Sequence, residues 1–278
     1  MVNLFIMGDS AQIRAHQEVI ADFEDIILIE HDGDHVSLDL ATVDGLVLLD
    51  VEDKDYWIKA AIDADIFVLA THPIHRQLEP FEKMIQGVQP SHIHIMSLGL
   101  HTEFCARLIK AQAAIRPASH FVIDLDINSS SQTLSRESFF DQMALSFCDL
   151  LLATWGPVDV LYSRMRNFFH SGPNEDTTTV FLTMHNGAEG LFMLVDSYSP
   201  HSTGRIRSYS IDGQVDISTA LAFQRNDLRS YYRSFRNAIN GQSESLLSLS
   251  QVAESYQLLQ WMRKSARADE PLRKRESR

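Results

Sequence analysis

The chain has 278 residues, 45% of them hydrophobic and 22% charged, with a formal net charge of −13. That length suits one large domain or two medium ones. The acidic balance argues against nucleic acid or an anionic membrane as the main partner, and no apolar run is long enough to cross a bilayer. The two cysteines, Cys105 and Cys148, form no paired motif and read as buried thiols in a reducing, cytoplasmic setting. The chain opens directly on a strand without a basic leader, so no secretory signal is expected.

The first part alternates strand and helix. Strands are predicted at 2–7, 26–30, 45–50, 65–70 and 92–99, and helices at 10–22, 53–63, 75–87 and 102–114. The run "GLVLLD" at 45–50 is apolar almost throughout, as in a strand buried on both faces. This alternation implies a parallel sheet wound on both faces, a Rossmann-like α/β domain over 1–118.

The second part, 119–278, reads as an α+β domain with an open, mostly antiparallel sheet. A strand at 119–127 is followed by a long helix over 136–153, which stops at Gly156-Pro157. Strands over 158–168, 177–196 and 206–217 follow, with hairpins at Asn186-Gly187 and Asp212-Gly213. For Asn186-Gly187 the expectation is a turn with φ > 0 at both positions. Helices at 226–239 and 248–266 close the chain, and the last helices pack back on the first domain. The terminal "RKRESR" is basic and reads as a solvated tail.

The turn after the first strand carries the first functional signal. "FIMGDSAQIRAH" has the placement of a G-x-G-x-x-G dinucleotide turn, with Gly8, Ser10 and Ile13 at the three glycine positions. Asp9 brings a negative charge to a helix N-terminus, where a dinucleotide places its own phosphates. The alternative is that Asp9 or Ser10 caps the helix, and that reading is preferred. Glu30 and Asp32, after the second strand, stand where an acidic residue meets the adenosine ribose. Asp50, ending the third strand, completes the candidate cofactor set.

Several C-terminal stretches carry a family resemblance. "EDTTTVFLTMHNGAEGLF" resembles the E-D-T-A-x-x-x-L-x-F-x-N-G-A-x-G hairpin of the Gfo/Idh/MocA oxidoreductases. "SIDGQVDI", "DLLLATWGPVDVL" and the closing helices resemble other parts of the same family, in the same order. Gly8 and His16 match its G-x-G-x-x-G/A-x-x-H turn. The resemblance implies NAD or NADP as cofactor and a sugar, inositol, small hydroxy compound or imine as substrate. It also implies a homodimer formed through the C-terminal sheet.

The family's catalytic groups are not at their expected places. The lysine of its E-K-P tripeptide is replaced by His72 in Thr71-His72-Pro73. His72 reads either as an acid–base substitute or as a strand-end residue before a proline turn. Aligning Asp149 with the family's last helical aspartate puts Ser146 on its histidine and Gln142 on its first aspartate. Asp141 lies one residue, about 100°, out of register. The candidate catalytic residues are therefore His72, Asp141, Asp149 and His101. "HPIH" and "HIHIM" allow His72, His75, His92 and His94, joined by His101, to gather at the carboxyl edge of the sheet; the preferred reading is a set of unrelated packed or exposed imidazoles. A metal at "EHDGDH" is judged a poorer reading than a polar loop.

Three functions are carried forward. The first is a catalytically degenerate family member with a binding, regulatory or partner-subunit role, toward a small molecule or a protein. The second is an active NAD(P)-dependent oxidoreductase with relocated catalytic residues. The third is a metal-dependent enzyme using the histidines.

Overall fold

The computed structural model describes residues 1–29, 39–49, 51, 53–72, 92–97, 108, 110, 120–128, 136–169, 176–197, 202–220, 225–242 and 249–273. The chain divides into two compact units. The first holds 1–97 with 224–253, and the second holds 98–223 with 254–278. The helix predicted at 75–87 lies outside the described residues, and of that predicted at 102–114 only Leu108 and Lys110 are described, both helical.

The first unit is built on five parallel strands: β1 (Val2–Met7), β2 (Ile26–Leu28), β3 (Gly45–Leu48), β4 (Phe67–Thr71) and β5 (Ile93–Met96). Their order is β2-β1-β3-β4-β5, with Leu4 opposite Gly45 and Thr71 opposite Met96. Leu46, Val47 and Leu48 are fully buried, which is what a continuous apolar run becomes when both faces of a sheet are covered. Helix α1 (Ser10–Ile20) follows β1, and α2 (Lys54–Asp63) precedes β4. Helix α1 buries His16, Val19 and Ile20, and α2 buries Trp57, Ile58 and Ala61 together with Lys54.

Helix α3 (Arg136–Trp155) belongs to the second unit, but α4 (Arg225–Ile239) belongs to the first. Helix α4 inserts Tyr231, Tyr232 and Phe235, all fully buried. The Tyr232 hydroxyl lies 2.7 Å from Nδ1 of His16 on α1. The Tyr231 hydroxyl donates to the Ser97 carbonyl at 2.6 Å and accepts from the Ser97 amide at 2.8 Å, closing the end of β5. Phe235 packs edge-on to His94 and over Gly45, where a Cβ would lie 3.0 Å from its ring.

The second unit is a seven-stranded sheet of β6 (His120–Ile127), β7 (Val158–Arg166), β8 (Thr177–Met184), β9 (Glu189–Asp196), β10 (Thr203–Ser210), β11 (Gly213–Ala220) and β12 (Leu272–Arg273). The order is β11-β10-β6-β9-β8-β7-β12, antiparallel except between β6 and β9. Along β6 burial alternates residue by residue, so one face is core and the other open. The core face is covered by α3 and by α5 (Leu249–Ala268). Trp155 of α3 stacks on Phe121 at 4.2 Å, and Ser163 of β7 donates to the Met262 carbonyl of α5. Helix α3 stops at Gly156, whose φ of +82° is the left-handed conformation of a helix C-cap. Cys148 is buried in α3, and desolvation pushes its thiol well above the usual range; Cys105 lies outside the described residues.

The β8–β9 hairpin forms at the predicted residues but with a different turn. Only Gly187 has a positive φ, +84°. The Gly187 amide bonds the Met184 carbonyl, and Met184 pairs with Ala188. This is a three-residue loop, a type I turn followed by a left-handed glycine, rather than a two-residue turn with both residues left-handed. Asn186 keeps a negative φ because its side chain is committed, accepting from the Ala188 amide and donating to the Trp155 carbonyl.

Gly190 shows how tightly this core is set. A Cβ there would lie 2.0 Å from Cζ of Phe121, whose ring is backed by Trp155. The ring has nowhere to move. Gly190→Ala is therefore expected to cost about 2 kcal/mol or more, read as a lower denaturant midpoint with an unchanged slope.

Candidate functional site

In a doubly wound sheet, ligands meet the carboxyl ends of the strands. At the end of β1, Gly8 packs against β3. An added Cβ would lie 2.8 Å from Cβ of Leu49. That close approach explains the glycine without any phosphate.

Asp9 is extended, with φ −73° and ψ 156°, and is the N-cap of α1. Its Oδ1 accepts from the Ala11 amide at 2.8 Å and the Gln12 amide at 3.0 Å. Its carbonyl accepts from Ile13. The first amides of a helix and its dipole are what make such a turn bind an anion. Here the chain's own carboxylate occupies them. Ser10 is exposed, and Ile13 is half-buried. The residues at this turn, as arranged, do not fit a pyrophosphate.

The ends of β4 and β5 are closed by polar groups. Lys54, the first residue of α2, is buried, and its Nζ donates to the Thr71 carbonyl at 2.9 Å and to Thr71 Oγ1 at 3.0 Å. His72 follows Thr71 and is fully buried. The pairing of Thr71 with Met96 brings Ser97, held by Tyr231, level with it. Sequence reading overlooked both Lys54 and Tyr231. A lysine opening an amphipathic helix reads as solvated, and a tyrosine more than a hundred residues from the first sheet carries no local sign of its target.

Among the described residues, His92 and His94 do not gather with His72 at this edge. His94 pairs with Leu69 in mid-strand and packs against Phe235. It lies three residues, about 10 Å, back along the sheet from His72. His92 sits at the opposite end of β5, stacked on Phe67 with Nδ1 3.4 Å from Asp65. The strand pattern put the two on one face correctly but said nothing of which end of the strand they occupy. No group of three potential metal ligands occurs among the described residues. His75, His101, Glu30, Asp32 and Asp50 lie outside the described residues.

Asp141 and Asp149 are both on α3 and both engage α5. Arg263 donates to Asp141 Oδ1 at 2.5 Å, and the Ser255 hydroxyl donates to Asp149 Oδ1 at 2.5 Å. Ser146 and Gln142 are buried on the same helix. The structure thus ties these carboxylates into helix–helix contacts.

Charge is divided unevenly. The first unit carries twenty acidic residues against nine basic ones, and the second seventeen against fifteen. Most of the net negative charge sits on the unit that would receive a dinucleotide.

The architecture has close structural relatives. A myo-inositol dehydrogenase from Corynebacterium glutamicum superposes with a TM-score of 0.81 at 13% identity, over 98% of both chains. The WlbA dehydrogenase from Bordetella pertussis, solved with NADH and UDP-GlcNAcA, gives 0.80 at 17% identity over 98% of both. An oxidoreductase from Agrobacterium radiobacter, solved with NAD+, L-tartaric acid and magnesium, gives 0.77 at 12%, again over 98% of both. No protein-family model and no curated protein matches the chain. The chain has the two-domain fold of the Gfo/Idh/MocA-type dehydrogenases, a Rossmann-like unit joined to a mixed-sheet unit. Among the described residues, no helix is long and apolar enough to cross a membrane.

His16, the histidine of the first turn, gives a pH prediction. Burial pulls its pKa from 6.5 down to about 4. The folded state therefore holds it neutral while the unfolded chain takes up a proton below 6.5. Stability is unaffected by this group above pH 6.5, falls as pH drops toward 4, and levels off below that. The difference amounts to about 3 kcal/mol. Chemical denaturation at pH 7.5 and 4.5 should show a smaller loss for His16→Gln than for wild type.

Proposed function

We propose that this chain uses a dinucleotide fold as a binding, regulatory or partner subunit, without nicotinamide redox chemistry. The observation that carries the reading is the Asp9 carboxylate seated on the Ala11 and Gln12 amides. A pyrophosphate must displace that carboxylate and then sit beside it, in a unit already rich in negative charge. The burial of His72 and the ties from Asp141 and Asp149 to α5 support it.

The test is titration with NADH and NADPH by fluorescence, on wild type and on Asp9→Gly/Ser10→Gly. Wild type is expected to show no binding tighter than about 1 mM, while the double variant, with its amides freed, gains affinity. Micromolar binding by wild type would overturn the proposal. It would favour an active oxidoreductase on a sugar-like, hydroxy or imine substrate, the reading favoured by neighbours solved with NAD(H). His72→Ala would then be the first variant to assay.

The open face of the second sheet supports a homodimer. Tyr162, Phe181, Leu191 and Val122 lie side by side across β7, β8, β9 and β6, and Phe181 is 54% exposed. Light scattering is expected to give a dimer for wild type and a monomer for Phe181→Asp. A monomeric wild type would count against this face.

A further inference from the structure

The sequence holds two Asn-Gly pairs, Asn186-Gly187 and Asn240-Gly241. Such a pair is chemically weak. The amide nitrogen of the glycine attacks Cγ of the asparagine, and glycine has no side chain to block the approach. A Cγ–N bond forms and the Cγ–Nδ2 bond breaks. The side-chain nitrogen takes up the amide proton and leaves as ammonia. Water then opens the five-membered imide, giving aspartate or isoaspartate. Water is the only reagent consumed.

The fold treats the two pairs differently. Both ends of the Asn186 carboxamide are committed. Its Nδ2 donates to the Trp155 carbonyl at 3.1 Å, and its Oδ1 accepts from the Ala188 amide at 3.0 Å. The turn itself is anchored by the Gly187 amide on the Met184 carbonyl at 2.9 Å and by the His185 amide on the Pro157 carbonyl at 2.8 Å. Closing the imide ring requires the carboxamide to leave both partners and the backbone to swing out of a type I turn. The tip of the β8–β9 hairpin must therefore open first.

Asn240 lies one residue past the end of α4. It is exposed, and its carboxamide takes no hydrogen bond among the described residues. Gly241 follows in the left-handed conformation, with φ +69°. The Gly241 amide donates to the Ala238 carbonyl at 2.9 Å, and the Gln242 amide donates to the Asn237 carbonyl at 2.7 Å. These are the paired bonds of a Schellman motif. Ring closure at Asn240 breaks bonds at a helix end, where opening costs least.

We propose that Asn240-Gly241 is a site of spontaneous deamidation in the folded protein, while the hairpin keeps Asn186-Gly187 intact. The location gives the product its effect. A carboxylate at residue 240 meets the negative end of the α4 dipole. Isoaspartate adds a methylene to the backbone inside the Schellman motif. Helix α4 carries Tyr231, Tyr232 and Phe235, so the modification loosens the element that completes the first sheet. The inference does not depend on whether a dinucleotide binds.

The experiment is peptide mapping by mass spectrometry on the full chain incubated at pH 8.0, with isoaspartate and aspartate separated by chromatography. Circular dichroism checks that the chain stays folded. A parallel incubation in concentrated guanidinium chloride gives the intrinsic reactivity, and there the two pairs should convert at similar rates. In the folded protein Asn186 should convert about ten-fold more slowly than Asn240, or slower still, because reaction of an opened state follows its population. Asn240→Gln should remove the modification at that position and leave the denaturant midpoint unchanged. Asn240→Asp should lower the midpoint at pH 7. An Asn240 that stays intact in the folded protein while converting in denaturant would overturn the proposal, and so would equal conversion of the two pairs in the folded protein. A midpoint unmoved by Asn240→Asp would overturn the effect on α4.

Discussion

Three aromatic rings on one helix hold the first unit together. Tyr231, Tyr232 and Phe235 of α4 are fully buried, and each reaches a different part of the parallel sheet: the end of β5, helix α1, and the floor near Gly45. Burying rings of this size contributes on the order of 2 kcal/mol each, and the two hydroxyls find partners that would otherwise be buried polar groups. The segment that supplies them follows six strands of the second unit. The first sheet is therefore not a product of the N-terminal sequence alone. It is finished by residues far along the chain.

The position of α1 follows from that packing, and with it the chemistry of the first turn. Once His16 is fixed against Tyr232, the start of α1 is fixed beside β1 and β3. The carboxylate of Asp9 is then one side chain away from the free amides. A charged acceptor at a helix N-cap is stabilising by about 1 kcal/mol. The same feature that stabilises the helix fills the place of an incoming phosphate. Lys54 and Tyr231 close the neighbouring strand ends in a similar way, with side-chain donors turned to backbone carbonyls. Among the described residues, these bonds close the ends of β1, β4 and β5.

The two α3 carboxylates illustrate the same economy in the second unit. Asp141 and Asp149 are buried, and a buried carboxylate without a partner is costly. Arg263 and Ser255 of α5 provide those partners. Seen in sequence, Asp149 aligns with the last aspartate of a catalytic helix, and Asp141 lies one residue out of register with the first. Seen in the fold, they fasten α3 to α5 over the core face of the sheet.

Much of this was legible in the residues. Apolar runs and turn residues located the strands to within two or three positions, because strand burial imposes a pattern on every residue it covers. The departures at Asp9, Ser10 and Ile13 were legible because the turn's requirements are local, and so was a cap at Asp9 or Ser10, which the fold gives to Asp9. Other features depended on contacts between distant segments. The sequence had no means of showing that α4 completes the first unit, that Lys54 reaches Thr71, that His92 and His94 lie away from the carboxyl edge, or that a type I turn with Gly187 left-handed forms the β8–β9 hairpin. Local pattern determines which elements form and which face each one buries. Which distant side chain satisfies a buried polar group, and at which end of a strand it sits, was decided only by the tertiary structure, because such bonds join residues whose separation along the chain carries no periodic signal.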